Sequence, residues 1–255
     1  MIAKRVIPCL DVKDGKVVKG TNFVSLRKLG DPVQMAADYS RGGADEIIFL
    51  DISATNEGRN TMTDIVKKTA ETVFVPFTVG GGVKTIDDVS RLLKAGADKV
   101  GINSAAVSNP ELITEASARF GSQCIVIAVD AKRYADGWHV MTHGGTMDTG
   151  IDALQWVKTA EQKGAGEILL TSVDTDGVKH GFDLSLTKAV VDAVRIPVIA
   201  SGGCGSPEHF TEVYKQTGVS AALAASIFHQ GTFSIKEVKQ SCAGQGVNIR
   251  EPGFF

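Results

Sequence analysis

The chain repeats itself, and that repeat limits its possible folds more than any other feature. One apolar run ends in Asp11 and another in Asp130, 119 residues later; Gly81 follows a third run and Gly202 a fourth, 121 residues on. Local strings agree too. VPFTVGGG at 75–82 matches IPVIASGG at 196–203, and PCLDVKDG at 8–15 echoes AVDAKR at 128–133. Whatever unit the first half of the chain forms, the second half therefore forms again.

The apolar pattern defines that unit. Short β-branched runs occur at Val6 to Leu10, Ile47 to Leu50, Phe77 to Val79 and Val100 to Ile102, then at Ile125 to Val129, Ile168 to Leu170, Val198 to Ala200 and Ala221 to Ala224. They are continuous rather than alternating, as in parallel strands buried on both faces. Helix start signals lie between them. Asp31-Pro32-Val33-Gln34 reads as an N-cap, a proline in the first turn and a glutamine reaching back; Asn109-Pro110 and Ser206-Pro207 repeat the cap-plus-proline signal, and Thr85 with Asp88 forms a capping box. Eight βα units in 255 residues predict an α/β fold: one closed eightfold βα barrel (TIM barrel) domain over 1–255, with a twofold half-barrel repeat. An open doubly wound sheet is disfavoured, because no GxGxxG follows the first strand and no GxxxxGK[ST] occurs. The polar and aromatic stretch Lys132 to Thr142, with Asp136-Gly137 inside it, is expected to form a hairpin at the rim after the fifth strand.

Composition excludes several functions. A formal net charge of -2 supplies no diffuse basic surface for nucleic acid or anionic membrane, so any phosphate needs a local site. No apolar run approaches a membrane span, and the opening MIAKRVIPCLDVKDG lacks a signal-peptide core, so a soluble cytoplasmic protein is expected. The four cysteines lack CxxC spacing and read as thiols. His139 and His143 are four apart, about 13 Å on a strand, too far to share an ion. Neither a metal nor a cofactor is expected.

In a βα barrel the active site lies at the C-terminal strand ends, so a carboxylate closing a strand is a candidate catalytic group. Asp11, Asp51 and Asp130 qualify. The first and fifth strands stand opposite each other, which places Asp11 and Asp130 across the mouth as one proton donor and one acceptor; Asp51 is read as structural. Carboxylates satisfied only by loop amides are the competing reading. Gly80-Gly81-Gly82 and Gly202-Gly203 each join a strand to a capped helix, where backbone N–H groups can approach an anion. Either cluster alone could simply permit positive φ. Two clusters four strands apart, with Asn103-Ser104 and Ala225-Ser226 at the following strand ends, imply a long ligand with a phosphate at each end. Asp176 and Gly177 could contact it or form a plain turn, and one of Lys13, Lys16 and Lys19 could close over it. Arg5, Glu46, Lys99 and Glu167 precede strands one, two, four and six and so fall at the opposite, N-terminal face, where a structural plug is the favoured reading.

Longer strings now carry a resemblance. PCLDVKDGKVVKGTNF, FLDISAT, FTVGGGV, DKVGINSAAVSNPELI, IAVDAKR, GAGEILLTSVDTDGVKHGFD, VIASGGCG and LAASIFH, spread over nearly the whole chain, resemble the cyclase subunits of imidazole glycerol phosphate synthase, a βα-barrel family of histidine biosynthesis. The resemblance implies a lyase that combines ammonia with phosphoribulosyl formimino aminoimidazole carboxamide ribotide, a bisphosphate, giving imidazole glycerol phosphate and aminoimidazole carboxamide ribotide. It implies Asp130 as general acid and Asp11 as general base. It places Gly82, Asn103 and Ser104 at one phosphate, Asp176, Gly177, Gly203, Ala225 and Ser226 at the other, and Lys19 on a mobile first loop. It also implies a heterodimer in which a glutaminase subunit docks on the N-terminal face near Gln123 and Asp98, with Arg5, Glu46, Lys99 and Glu167 gating ammonia into the barrel. Two departures stand out: Gly101 replaces the family's usual serine in KVGIN, and VYKQTGVS is one residue longer than usual. The alternatives are the related phosphoribosyl formimino aminoimidazole carboxamide ribotide isomerase, which needs no ammonia, and a non-catalytic or engineered barrel.

Overall fold

Every one of the eight apolar runs becomes a strand of a single parallel barrel. The computed structural model describes residues 2–21, 24–52 and 63–250, with the side chains of 19–21 and 24–28 left aside. The described strands are β1 (Arg5–Lys13), β2 (Lys16–Thr21), β3 (Val24–Gly30), β4 (Ile47–Asp51), β5 (Phe77–Gly80), β6 (Lys99–Ile102), β7 (Ile125–Tyr134), β8 (Gly137–Thr142), β9 (Met147–Asp152), β10 (Glu167–Ser172), β11 (Val198–Ser201) and β12 (Ala221–Ala224). The parallel path runs β10-β11-β12-β1-β4-β5-β6-β7, and β7 pairs back onto β10 from Val126 opposite Glu167 to Ala131 opposite Ser172. Among the described residues the parallel sheet has no edge left to protect. β1 and β7 are four strands apart in either direction around the ring, consistent with the half-barrel repeat.

Closure divides the apolar residues into two cores. Outward positions such as Val6, Leu10, Phe49, Val100 and Ile127 pack under the helices in the larger cluster. Inward positions form a small cluster inside the barrel, among them Ile7, Ile48, Val126, Leu169, Ile199 and Leu223. Strand residues point alternately to the two faces, so both cores come from the same continuous runs.

The helices begin largely where their caps predicted. Asp31 accepts from the Val33 and Gln34 N–H groups at 3.0 and 3.1 Å ahead of helix Pro32–Arg41, and Thr85 and Asp88 make the reciprocal capping box of helix Ile86–Lys94. Gln34 does not reach back; its amide donates to Asp38 at 3.0 Å, one turn forward. Asn109-Pro110 falls in the break between helices Ser104–Ser108 and Glu111–Phe120.

Two rim excursions exceed the sequence expectation. The hairpin after the fifth strand is present, but a third strand, β9, extends it, and Gly137 pairs with Tyr134 so that the turn falls at Ala135-Asp136. The first loop is a hairpin too: β1 runs on and turns at Asp14-Gly15, with φ of 50° and 73°, to pair antiparallel with β2. That pair of positive φ angles fits a primed hairpin turn, which the sequence reading does not anticipate at this Asp-Gly.

Beneath the barrel, Lys239 of helix Ile235–Gly244 pairs with Asp45 at 2.7 Å, the two side chains 3% and 2% exposed, while the second Asp45 oxygen accepts from the Val6 N–H. Removing one partner strands the other charge in the protein interior. Lys239→Met is therefore expected to cost about 3–5 kcal/mol. Urea unfolding checks this, and a midpoint equal to that of the wild type would mean that Asp45 finds another partner.

Candidate active site

Successive inward residues of a barrel strand form a file along the axis, two residues apart. On β1 the file runs from Arg5 at the floor through Ile7 and Cys9 to Asp11 at the mouth, and on β10 from Glu167 through Leu169 to Thr171. Lys99, Gly101 and Asn103 make the corresponding file from β6. The register sets residues of neighbouring strands at matching heights, Thr78 beside Lys99 and Gly80 beside Gly101. Charges therefore collect at two levels with an apolar layer between them.

The upper level borders a cavity of about 570 Å³ whose walls include Asp11, Asp51, Asn103, Ser104, Asp130 and Asp176. Asp11 and Asp130 project into it from opposite strands. The Asn103 side-chain amide donates to Asp130 at 2.9 Å, and its own carbonyl oxygen is buried with no partner among the described residues. Burial pushes the Asp130 carboxyl up from 3.8 to about 6; the Asn103 hydrogen bond opposes the rise and the nearby Asp176 charge adds to it.

The two glycine turns reach the same cavity. Gly81, Gly202 and Gly203 line it, as do Ala225, Ser226 and Gly177. Gly82, with φ of 67°, lies one residue beyond that wall, so on the first turn Gly80 and Gly81 are the glycines that face the space. These glycines also answer to packing. A Cβ on Gly81 would sit 2.3 Å from the Asp51 carbonyl oxygen, and one on Gly203 2.0 Å from that of Gly181, whose N–H donates back to the Gly203 carbonyl at 2.8 Å. A larger residue at 203 would therefore wedge two loops apart before it met any ligand. Gly101 is different: a Cβ there would meet Gly80 Cα at 3.4 Å, an ordinary contact, so the wall would accept a serine.

At the floor, the four charges form a closed ring. Arg5 bonds Glu46 at 2.6 Å and also Glu167, and Lys99 lies 3.0 Å from Glu46 and 2.8 Å from Glu167. Thr78, which lines the cavity, donates to Glu46 at 2.7 Å and so links the two levels. Asp98 and Gln123 are exposed at this end, although Asp98 also accepts from the Phe77 N–H at 2.8 Å. Lys19 belongs to β2, and its side chain lies outside the described residues.

Several wall residues were not singled out from the sequence. Thr171 and Ser201 were foreseeable, since they stand two residues beyond the inward Leu169 and Ile199. Gly144, Gly145 and Thr146 come from the β8–β9 turn, which the sequence did not mark, and the His143 N–H of that turn donates to Ser104 at 3.2 Å. Among the described residues, no group of His, Cys, Asp and Glu could hold a metal, and no helix is long and apolar enough to cross a membrane.

A closed parallel barrel with opposed carboxylates at its mouth, one of them raised in pKa, is the architecture of a βα-barrel enzyme. The chain belongs to the histidine biosynthesis protein family, whose sequence pattern matches residues 5–234. It is similar to imidazole glycerol phosphate synthase subunit HisF of Bacillus cereus strain ATCC 10987 / NRS 248, and equally to that of strain Q1; each is 58% identical over 251 residues, 98% of this chain and 100% of the relative.

The raised carboxyl has a thermodynamic signature. A carboxyl whose folded pKa exceeds its unfolded value favours the folded state below pH 3.8, and that contribution is lost as pH rises through about 6. Above pH 6 the ionised Asp130 weighs against folding. Asp130→Asn should thus be more stable than the wild type at pH 8, by about 2 kcal/mol once screening by water in the mouth is allowed for, with the gap closing toward pH 3.5. Denaturant titrations across that range check it; a gap independent of pH would assign the effect to something other than ionisation.

Proposed function

We propose that this chain is the cyclase half of imidazole glycerol phosphate synthase, joining ammonia to phosphoribulosyl formimino aminoimidazole carboxamide ribotide and releasing imidazole glycerol phosphate, aminoimidazole carboxamide ribotide and one water. One observation carries the reading. The barrel that holds Asp11 and Asp130 at its mouth terminates, below the apolar layer, at a ring of four charges on the far face, and the Asp11 file itself ends there at Arg5. A mouth alone would serve the isomerase equally well, and the 58% identity with HisF subunits over 98% of the chain favours the cyclase.

Besides the departure of the keto oxygen as water, the chemistry asks for two proton transfers. The attacking nitrogen must lose a proton and the departing amine must gain one, at points on opposite sides of the substrate. Asp130, whose carboxyl is held near 6, keeps its proton closer to neutrality than an ordinary carboxylate and serves as the acid. Asp11, across the mouth, serves as the base. The bisphosphate spans the cavity with one end at the turn of Gly81 and Gly82 and at Asn103 and Ser104, and the other at Asp176, Gly177, Gly203, Ala225 and Ser226, while Lys19 on the first hairpin closes over it. Backbone N–H groups at these turns suit dianionic oxygens without a net positive surface.

Ammonia arrives from a glutaminase subunit docked on the N-terminal face, where Asp98 and Gln123 are exposed. It passes the ring of Arg5, Glu46, Lys99 and Glu167 and enters the cavity past Thr78. The ring is a gate because its members hold one another: each carboxylate is shared by both cations, so displacing one cation releases two contacts.

With ammonium salt at high pH, the isolated chain is expected to form both products, and Asp130→Asn and Asp11→Asn should each lower turnover by about 10² to 10⁴. Product analysis with folded wild-type protein decides the matter, and none at any ammonia concentration would end the cyclase reading. Lys99→Leu separates gate from plug. With the glutaminase subunit bound, it should lower the ratio of cyclised product to glutamate released, while turnover on external ammonia, entering at the mouth, suffers less. An unchanged ratio would make the ring a seal.

A further inference from the structure

The cavity described above poses an electrostatic problem. Asp11, Asp51, Asp130, Asp174 and Asp176 all border it, whereas its described cations are Lys132 and Lys179. A ligand with a phosphate at each end brings further negative charge into this mouth. Backbone N–H groups supply only partial charges, so a mobile full charge near a phosphate would matter.

Lys179 stands in the loop after β10, two residues beyond Gly177, and lines the cavity. Its backbone is held firmly in an unfavourable shape. With φ of 65° it is one of three described residues other than glycine in the left-handed region. The neighbouring backbone is pinned on both sides, since the Val178 N–H donates to Thr175 at 3.0 Å and the Gly181 N–H to Gly203 at 2.8 Å. Gly205 makes the room: a Cβ there would lie 2.2 Å from the Lys179 carbonyl oxygen and 2.9 Å from its Cβ. Left-handed backbone at a long side chain persists where the surroundings over-determine it, and such positions cluster at ligand clamps.

The head group, by contrast, is lightly held. The ammonium donates to the Gln230 amide oxygen at 3.1 Å, and among the described residues it makes no ion pair. Gln230 ends the short turn that begins at Ser226 and bonds back to the Ser226 carbonyl at 3.0 Å. The lysine thus bridges the β10 loop, with Gly177, to the β12 turn, with Ser226. A neutral amide releases an ammonium far more readily than a carboxylate would.

We propose that Lys179 is a phosphate ligand: its ammonium leaves Gln230 and closes on the phosphate held between the β10 loop and the β12 turn. The bisphosphate identity of the ligand rests on the reading under Proposed function, whereas the recognition of a phosphate dianion by Lys179 does not.

Steady-state kinetics with external ammonia and the bisphosphate substrate test it. Lys179→Gln should raise KM on the order of ten-fold with kcat within about two-fold, and Lys179→Arg should restore most of the loss. Lys179→Gly, which relieves the backbone, should unfold at a higher temperature yet keep the high KM; a KM that follows stability instead would overturn the proposal. Calorimetric titration with inorganic phosphate gives a readout independent of turnover. The wild type should bind phosphate on the order of ten-fold more tightly than Lys179→Gln, and the difference should shrink with added salt. Equal phosphate affinity in the two proteins would overturn the proposal whether or not cyclisation occurs. A wild type that binds phosphate in this way but forms no product would defeat only the cyclase reading.

Discussion

Closure of the sheet between β7 and β10 is the constraint on which the remaining architecture rests. An open parallel sheet with these runs would expose two strand edges and would set β1 and β7 in one plane with three strands between them. Closed, the same strands face each other across an axis, and every second residue points toward it. The file Arg5, Ile7, Cys9, Asp11 then becomes a vertical sequence of floor charge, apolar plug and mouth carboxylate. The register repeats those heights around the ring.

The two charged levels meet opposite electrostatic conditions. At the floor, Arg5 and Lys99 stand between two carboxylates, so charges that would be costly to bury singly neutralise one another. At the mouth, burial holds the proton on Asp130 and the nearby Asp176 charge adds to the effect, while the one hydrogen bond from the neutral Asn103 amide opposes it without reversing it. The apolar layer between them, with Ile48, Val126 and Leu169, keeps the levels apart, apart from the Thr78 hydroxyl that joins the cavity wall to Glu46.

The loops at the mouth are built against one another as much as against a ligand. Gly203 packs on Gly181 and Gly205 on Lys179, so the β10 and β11 loops interlock through backbone contacts that allow no side chain. Glycine at such turns thus has two causes that a residue string cannot separate: close approach of a ligand and close approach of another loop. The structure exhibits the second directly and leaves room for the first at Gly81 and Gly202, which also line the cavity.

What the amino-acid sequence determined by itself is whatever depends on local chemistry and period. Continuous β-branched runs could only be doubly buried strands, Asp31 and Thr85 could cap what followed them, and the spacing of Asp11 to Asp130 fixed two like units. Period two even made the ring and mouth residues legible, since Arg5 and Asp11 stand an even number of positions apart. Tertiary structure decided the rest: that Asp14-Gly15 turns a hairpin rather than a plain loop, that Gln34 bonds forward to Asp38, that Gly81 rather than Gly82 faces the cavity, and that Lys179 lies against Gln230. The last two follow from which segments distant in sequence meet once the barrel closes, whereas the hairpin and the Gln34 bond are local choices among several that the residue types allow. A local pattern states what a residue can bond to, and only the closed chain states what is there to be bonded.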